Sequence, residues 1–150
     1  FRTVGRGLAW PGTGPVELAR NDTAYPIVST WQARQAVREL AARKVPFVKL
    51  WLEDRGGYEI PADKRDREQL ALEHGIPEPG RPHQLTPAIY RAAIDEAKKH
   101  GLRTLAHVKT REDLKDLLRA GIDGWTHPIA DLPVDDELLT LVRERPALWY

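Results

Sequence analysis

The run Val48-Lys49-Leu50-Trp51-Leu52, entered through Val45-Pro46-Phe47, limits more than any other segment what this chain can fold into. It has the length of a strand, is rich in β-branched and aromatic residues, and is apolar on both of its faces except for one lysine. Such a strand fits a parallel sheet covered by helices on one side and by a packed barrel interior on the other. Lys49 conflicts with that environment, because burying an unpartnered ammonium is costly or forces the amine to lose its proton. Two readings fit it. The side chain could lie at a strand end with its stem on apolar surface and its head in water, or it could be held there for its chemistry.

Signals on both sides of this strand extend the pattern. Upstream, Arg2–Ala9 reads as a strand that dissolves into Pro11-Gly12-Thr13-Gly14-Pro15, and residues 10–28 read as one long loop. Ser29 and Gln32 stand at capping-box spacing before a helix whose apolar face is Ala33, Ala36, Val37, Leu40 and Ala41, ending near Arg43-Lys44. Downstream, the polar segment Glu53–Leu85 has the length of a lid or binding loop and includes a charged helical patch near Asp63–His74. Thr86 then caps a helix with Pro87 at its first position; Ile89, Tyr90, Ala93, Ile94 and Ala97 form its buried face, and Gly101 stops it.

Beyond Gly101 the alternation continues. Leu102–Val108 is a strand, and Arg111–Ala120 is a helix with Leu114, Leu117 and Leu118 on one face and Gly121 at its end. Ile122–His127 is a strand closed by Pro128, and a helix over Asp135–Arg145 turns Leu138, Leu139, Leu141 and Val142 inward. Ala147–Tyr150 begins a further strand. Strand and helix in strict alternation predict an α/β fold: parallel strands in chain order, joined by right-handed crossovers, as an open doubly wound sheet or a barrel.

Composition narrows the function. A chain of 150 residues suits one domain, and a net charge of +1 with acids and bases mixed throughout offers no basic stripe for nucleic acid. No apolar stretch reaches membrane-spanning length and none resembles a signal peptide, which favours the cytoplasm. Without cysteine, thiolate metal sites and disulfides are excluded. Without methionine, even at position 1, the sequence is expected to be a processed product or a segment of something longer.

His107 and His127 end two successive short strands, one strand–helix–strand step apart, and Lys49 lies toward the far part of the strand before them. In parallel β/α architecture the C-terminal strand ends open on one face, so the three side chains are expected to converge. Imidazoles so placed can ligate zinc and similar metals, although a hydrogen-bonded histidine at a strand end is the plainer reading of either alone. His74 and His83 lie in the polar segment, and His100 sits where a helix macrodipole suffices to explain it.

Four stretches, taken in order, carry a family resemblance. They are Phe47-Val48-Lys49-Leu50-Trp51, Leu85–Ala97, Leu105-Ala106-His107-Val108, and Ala120-Gly121-Ile122-Asp123-Gly124-Trp125-Thr126-His127. Together they resemble the amidohydrolase superfamily, and within it the imidazolonepropionase-like and prolidase-like metal-dependent hydrolases. The resemblance implies a partial (β/α)8 TIM barrel, about strands 3 to 7, with outer helices and a metal centre at the C-terminal strand ends. Lys49 falls on the family's fourth-strand lysine, His107 on its fifth-strand histidine and His127 on its sixth-strand histidine. The implied cofactors are one or two divalent ions, zinc above all, and a carbon dioxide-derived carbamate on Lys49.

The family's first-strand His-x-His pair and eighth-strand aspartate have no counterpart here. The expectation is therefore a segment, incomplete at both ends and inactive alone, of a hydrolase that cleaves amide or cyclic amide C–N bonds with metal-activated water. Its substrate would be a small amide or dipeptide-like molecule, and exposed barrel edges would favour self-association. Two rivals stand beside this reading: a lyase or aldolase barrel with Lys49 as Schiff-base nucleophile, and a non-catalytic barrel remnant.

Overall fold

A computed structural model describes residues 3–11, 13, 23–52 and 84–145. The expected patch at 63–74, His74, His83 and the strand expected from Ala147 lie outside the described residues. The described elements run in the order β1 (Gly7–Ala9), β2 (Ala24–Pro26), α1 (Thr30–Ala42), β3 (Phe47–Trp51), α2 (Pro87–Lys99), β4 (Arg103–His107), α3 (Arg111–Ala120), β5 (Gly124–Thr126) and α4 (Asp136–Arg143).

All strand pairs are parallel, in the sheet order β2-β1-β3-β4-β5. The expected chain order thus holds for β1, β3, β4 and β5 and fails at β2, which lies within the stretch expected to be loop. Three residues are too few to show a period, and Pro26 argues against a strand unless it sits at a sheet edge, where a missing donor is tolerated. Here β2 is that edge, and its ladder continues past the proline through Ile27 N–H donating to the Ala9 carbonyl at 2.8 Å.

Strand β3 divides by alternation. Val48 and Leu50 are fully buried on the helix side, while Phe47, Lys49 and Trp51 face the other side and are half-buried. Burying each of the first two contributes about 1.5–3 kcal/mol. The helix-side core joins them to Leu8, Val37, Leu40, Ala93, Ile94, Ala106, Leu117, Leu118 and Ile122.

The helix signals carry through with local differences. Ser29 caps α1 by accepting from Gln32 N–H, but Gln32 Oε1 reaches past the cap to accept from Val28 N–H at 2.8 Å. The helix closes through Lys44, left-handed at φ 56°, with Val45 N–H returning to the Leu40 carbonyl. Helix α3 closes at Gly121, φ 96°, where glycine meets no Cβ penalty. Thr86 caps α2 through its backbone conformation, and its side chain makes no capping bond.

Helix α4 departs from expectation. Leu138 alone of its four leucine and valine residues is buried; Leu141 and Val142 are half-buried and Leu139 is exposed. Leu138 joins the core, Leu141 and Val142 pack against it, and ionic contacts add to this packing. The buried Lys115 of α3 lies 2.7 Å from Asp135, 2.9 Å from Glu137 and 3.1 Å from Glu112. Asp135 also caps α4 by accepting from Leu138 N–H.

A second charge cluster joins α1 to α2. Glu96, only 3% exposed, accepts from Arg38 at 2.6 Å and from Lys99 at 3.1 Å, with His100 Nε2 at 3.6 Å. Hydrogen bonds from Arg38 and then Lys99 hold its carboxyl down at about 2, below an ordinary 4.5. A carboxyl lowered on folding adds stability above its unfolded pKa and forfeits it as pH falls toward the folded value. Acid titration of unfolding should therefore show a loss between pH 4.5 and 2 that Glu96→Gln flattens. An unchanged acid limb in Glu96→Gln would refute the assignment.

Candidate functional site

Strand register decides which side chains meet. Lys49 pairs with Leu105, which pairs in turn with Gly124; two rungs on, Trp51 pairs with His107, which pairs in turn with Thr126. Because side chains repeat every second residue, Lys49, Trp51, His107 and Thr126 share the face opposite the helices. His107 ends β4, and His127 follows the last residue of β5. His107 and His127 thus stand together at the C-terminal strand ends, while Lys49 starts mid-strand and is linked to them through Trp51 and Thr126.

The contacts are close. Lys49 Nζ donates to Thr126 Oγ1 at 2.8 Å and lies 5.0 Å from the centre of the Trp51 ring. The Trp51 and His107 rings are 4.7 Å apart at 34°, and the His107 and His127 rings are 4.2 Å apart, edge to face. His107 is buried, whereas His127 is exposed. Burial pushes the Lys49 amine down to about 8 from an ordinary 10.5, as desolvation disfavours the charged form. The plainer reading of Lys49, a head reaching water, is therefore incomplete: its head rests on a threonine hydroxyl among aromatic rings.

His127 carries backbone strain. Its φ is 78°, left-handed, in a residue that is not glycine and that precedes Pro128. A proline restricts the residue before it to extended conformations, and a left-handed non-glycine costs about 1–3 kcal/mol. The surrounding fold supports that turn. Ala130 N–H donates to the Lys109 carbonyl at 3.2 Å, and Asp131 accepts from Arg111 N–H at 2.9 Å.

Among the described residues, no group of three His, Cys, Asp or Glu side chains could hold a metal ion. The donor set present is two neighbouring imidazoles and an amine with a lowered pKa. Two imidazoles offer at most two nitrogen donors, so a zinc centre here would require further donors to complete it. Trp51 and Thr126 belong to the site but were not singled out from sequence. Trp51 stands two residues from Lys49, so strand period already placed it on the same face; Thr126 meets Lys49 only through register across β4. His100, by contrast, pairs with Glu96 away from this face.

No protein-family model matches the sequence, nor does any curated protein sequence. Solved structures do match in fold. One is a Xaa-Pro dipeptidase with bound methionine in its active site, with 20% identity and TM-score 0.60 over 96% of this chain and 33% of that one. Another is a prolidase complexed with N-methylphosphonate-L-proline, with 18% identity and TM-score 0.62 over 96% of this chain and 34% of that one. A third is A. niger ochratoxinase, with 16% identity and TM-score 0.64 over 95% of this chain and 33% of that one. The chain spans about a third of the length of these proteins. At such identities the likeness establishes fold: five parallel strands alternating with helices match part of an amidohydrolase TIM barrel.

Proposed function

We propose that this chain forms part of the barrel of a metal-dependent amidohydrolase that cleaves amide or cyclic amide C–N bonds. One observation supports the reading: His107 and His127 lie ring against ring at the C-terminal strand ends of a parallel sheet, and Lys49 on the strand before reaches Thr126, the residue preceding His127. Names among the fold's solved members point the same way, since a dipeptidase and a phenylurea hydrolase both act at a carbonyl carbon bonded to nitrogen.

His107 and His127 would hold a divalent ion, zinc by the softness of imidazole ligands. Bound there, such an ion would polarise a substrate carbonyl and make water more acidic. Lys49 would contribute through its amine. With a pKa lowered by burial, an appreciable neutral fraction exists near neutral pH. The nitrogen lone pair can then form a bond to the carbon of carbon dioxide while one proton leaves to solvent, giving an anionic carbamate with two oxygens. The Thr126 hydroxyl would hold the nitrogen through this change by accepting from its remaining N–H. The half-buried Trp51 ring and the buried His107 ring would limit water around the reacting groups. A lysine Schiff-base enzyme is the rival, but it has no need of the paired histidines beside its amine.

His127→Gly tests the reading through two opposite signs. Glycine relieves the left-handed backbone, so the variant should melt higher, by about 1 kcal/mol of added stability. Its zinc affinity in equilibrium dialysis should nevertheless fall below that of the parent chain, by about tenfold or more. A variant that gained stability and kept its zinc would overturn His127 as a ligand. If the parent chain showed no zinc binding at any concentration, the metal reading as a whole would fall.

A further inference from the structure

We infer that Trp51 is a positioning residue for both Lys49 and His107, and that Gly7 provides the space in which its indole sits. The indole touches the two groups from one place: the His107 ring centre is 4.7 Å away and the Lys49 Nζ is 5.0 Å away. Its opposite flank lies over β1. A Cβ at Gly7 would stand 2.5 Å from Trp51 Nε1 and 2.9 Å from Cδ1, closer than real Cβ contacts approach. The ring is therefore wedged between a strand position without a side chain and the imidazole it stacks on.

Three consequences follow from a rigid ring in that wedge. The His107 imidazole is confined on its Trp51 side, which limits how it can turn against the His127 ring, whose centre is 4.2 Å from its own. The Lys49 amine is kept against the ring face as it reaches for Thr126. Gly7 becomes a functional position without functional atoms, because any side chain there must displace the indole. A π-face beside a cation and beside another ring is favourable in each pairing, so the three groups support one another. The purpose of this positioning rests on the metal-site reading; the positioning itself does not.

Histidine ring-proton NMR tests the positioning, and cobalt titration tests its purpose. In the parent chain, ring current from Trp51 should shift the His107 ring protons away from those of His100. Trp51→Leu should return them toward ordinary positions, and Gly7→Ala should do the same although no aromatic ring has been removed. Trp51→Phe, the milder variant, should retain part of the shift and guards against simple unfolding, with melting curves and backbone amide spectra recorded on each protein. Cobalt affinity should fall about 10- to 100-fold in Trp51→Leu and in Gly7→Ala, as for other residues that orient metal ligands. The inference is overturned if folded Trp51→Leu leaves the His107 resonances where they were, or if folded Gly7→Ala does so. Should the resonances move while the parent chain binds no cobalt, the positioning stands and the metal reading fails.

Discussion

If Lys49 carries the carbamate proposed above, Lys49→Ala should cost at least tenfold in retained zinc, measured by dialysis in bicarbonate buffer followed by metal analysis. In a whole barrel protein of the kind we propose, turnover should fall with the metal. Short carboxylates such as formate should restore part of both, since they offer the charge and two oxygens of a carbamate. The same substitution makes a separate prediction for pH. The Lys49 amine titrates at about 8 when folded and near 10.5 when unfolded. Between those values the unfolded chain holds a proton that the folded chain has released, so stability rises with pH across that window. Below it both states are charged and the burial penalty is fully present; above it both are neutral and the penalty is gone. Lys49→Ala should abolish this rise. Full zinc content together with unchanged turnover would remove Lys49 from the mechanism, and an alkaline rise persisting in the variant would place its origin elsewhere.

Leu50→Ala, one residue along and on the opposite face, should show the complementary behaviour. Leu50 is 0% exposed, among α1, α2 and the neighbouring strands. Removing its side chain loses transfer free energy and leaves a cavity, which costs about 2–5 kcal/mol in comparable cores. Urea unfolding should report that loss as a lower midpoint with an unchanged slope, while zinc affinity per folded molecule stays near that of the parent. Leu50→Met, which conserves volume, should cost less than about 1.5 kcal/mol. A Leu50→Ala penalty below that of Leu50→Met would mean that β3 is not the central core strand described above. The pair of variants separates the two faces of one strand, the helix side by stability and the open side by chemistry.

That separation also shows how far sequence could reach. The lysine strand, the helices from Thr30, Pro87 and Arg111, the left-handed stop at Gly121 and the placing of Lys49 and His107 on neighbouring parallel strands were all legible from period, caps and alternation. These are local properties: a cap, a turn or an amphipathic stripe is written within a few residues, and parallel β/α connectivity sends every strand end to one side. Two elements were misread where the local signal was short. Strand β2 has three residues and a proline, and exists because β1 offers an edge to pair with. Helix α4 turns Leu138, Leu141 and Val142 to the core, yet Leu139, at apparently inward spacing, is exposed, and ion pairs from Lys115 to Asp135 and Glu137 help to set how the helix lies.

The site divides in the same way. Sequence determined the residue types and the strand ends that would carry them, because each lies within its own short run. Tertiary structure decided their relations: the hydroxyl of Thr126 under the Lys49 amine, the Trp51 ring against His107, the glycine that makes room for that ring, and the left-handed turn at His127. Those contacts cross four strands whose residues are tens of positions apart. Their existence depends on register and on the space left by other side chains, and neither quantity is a property of any one segment.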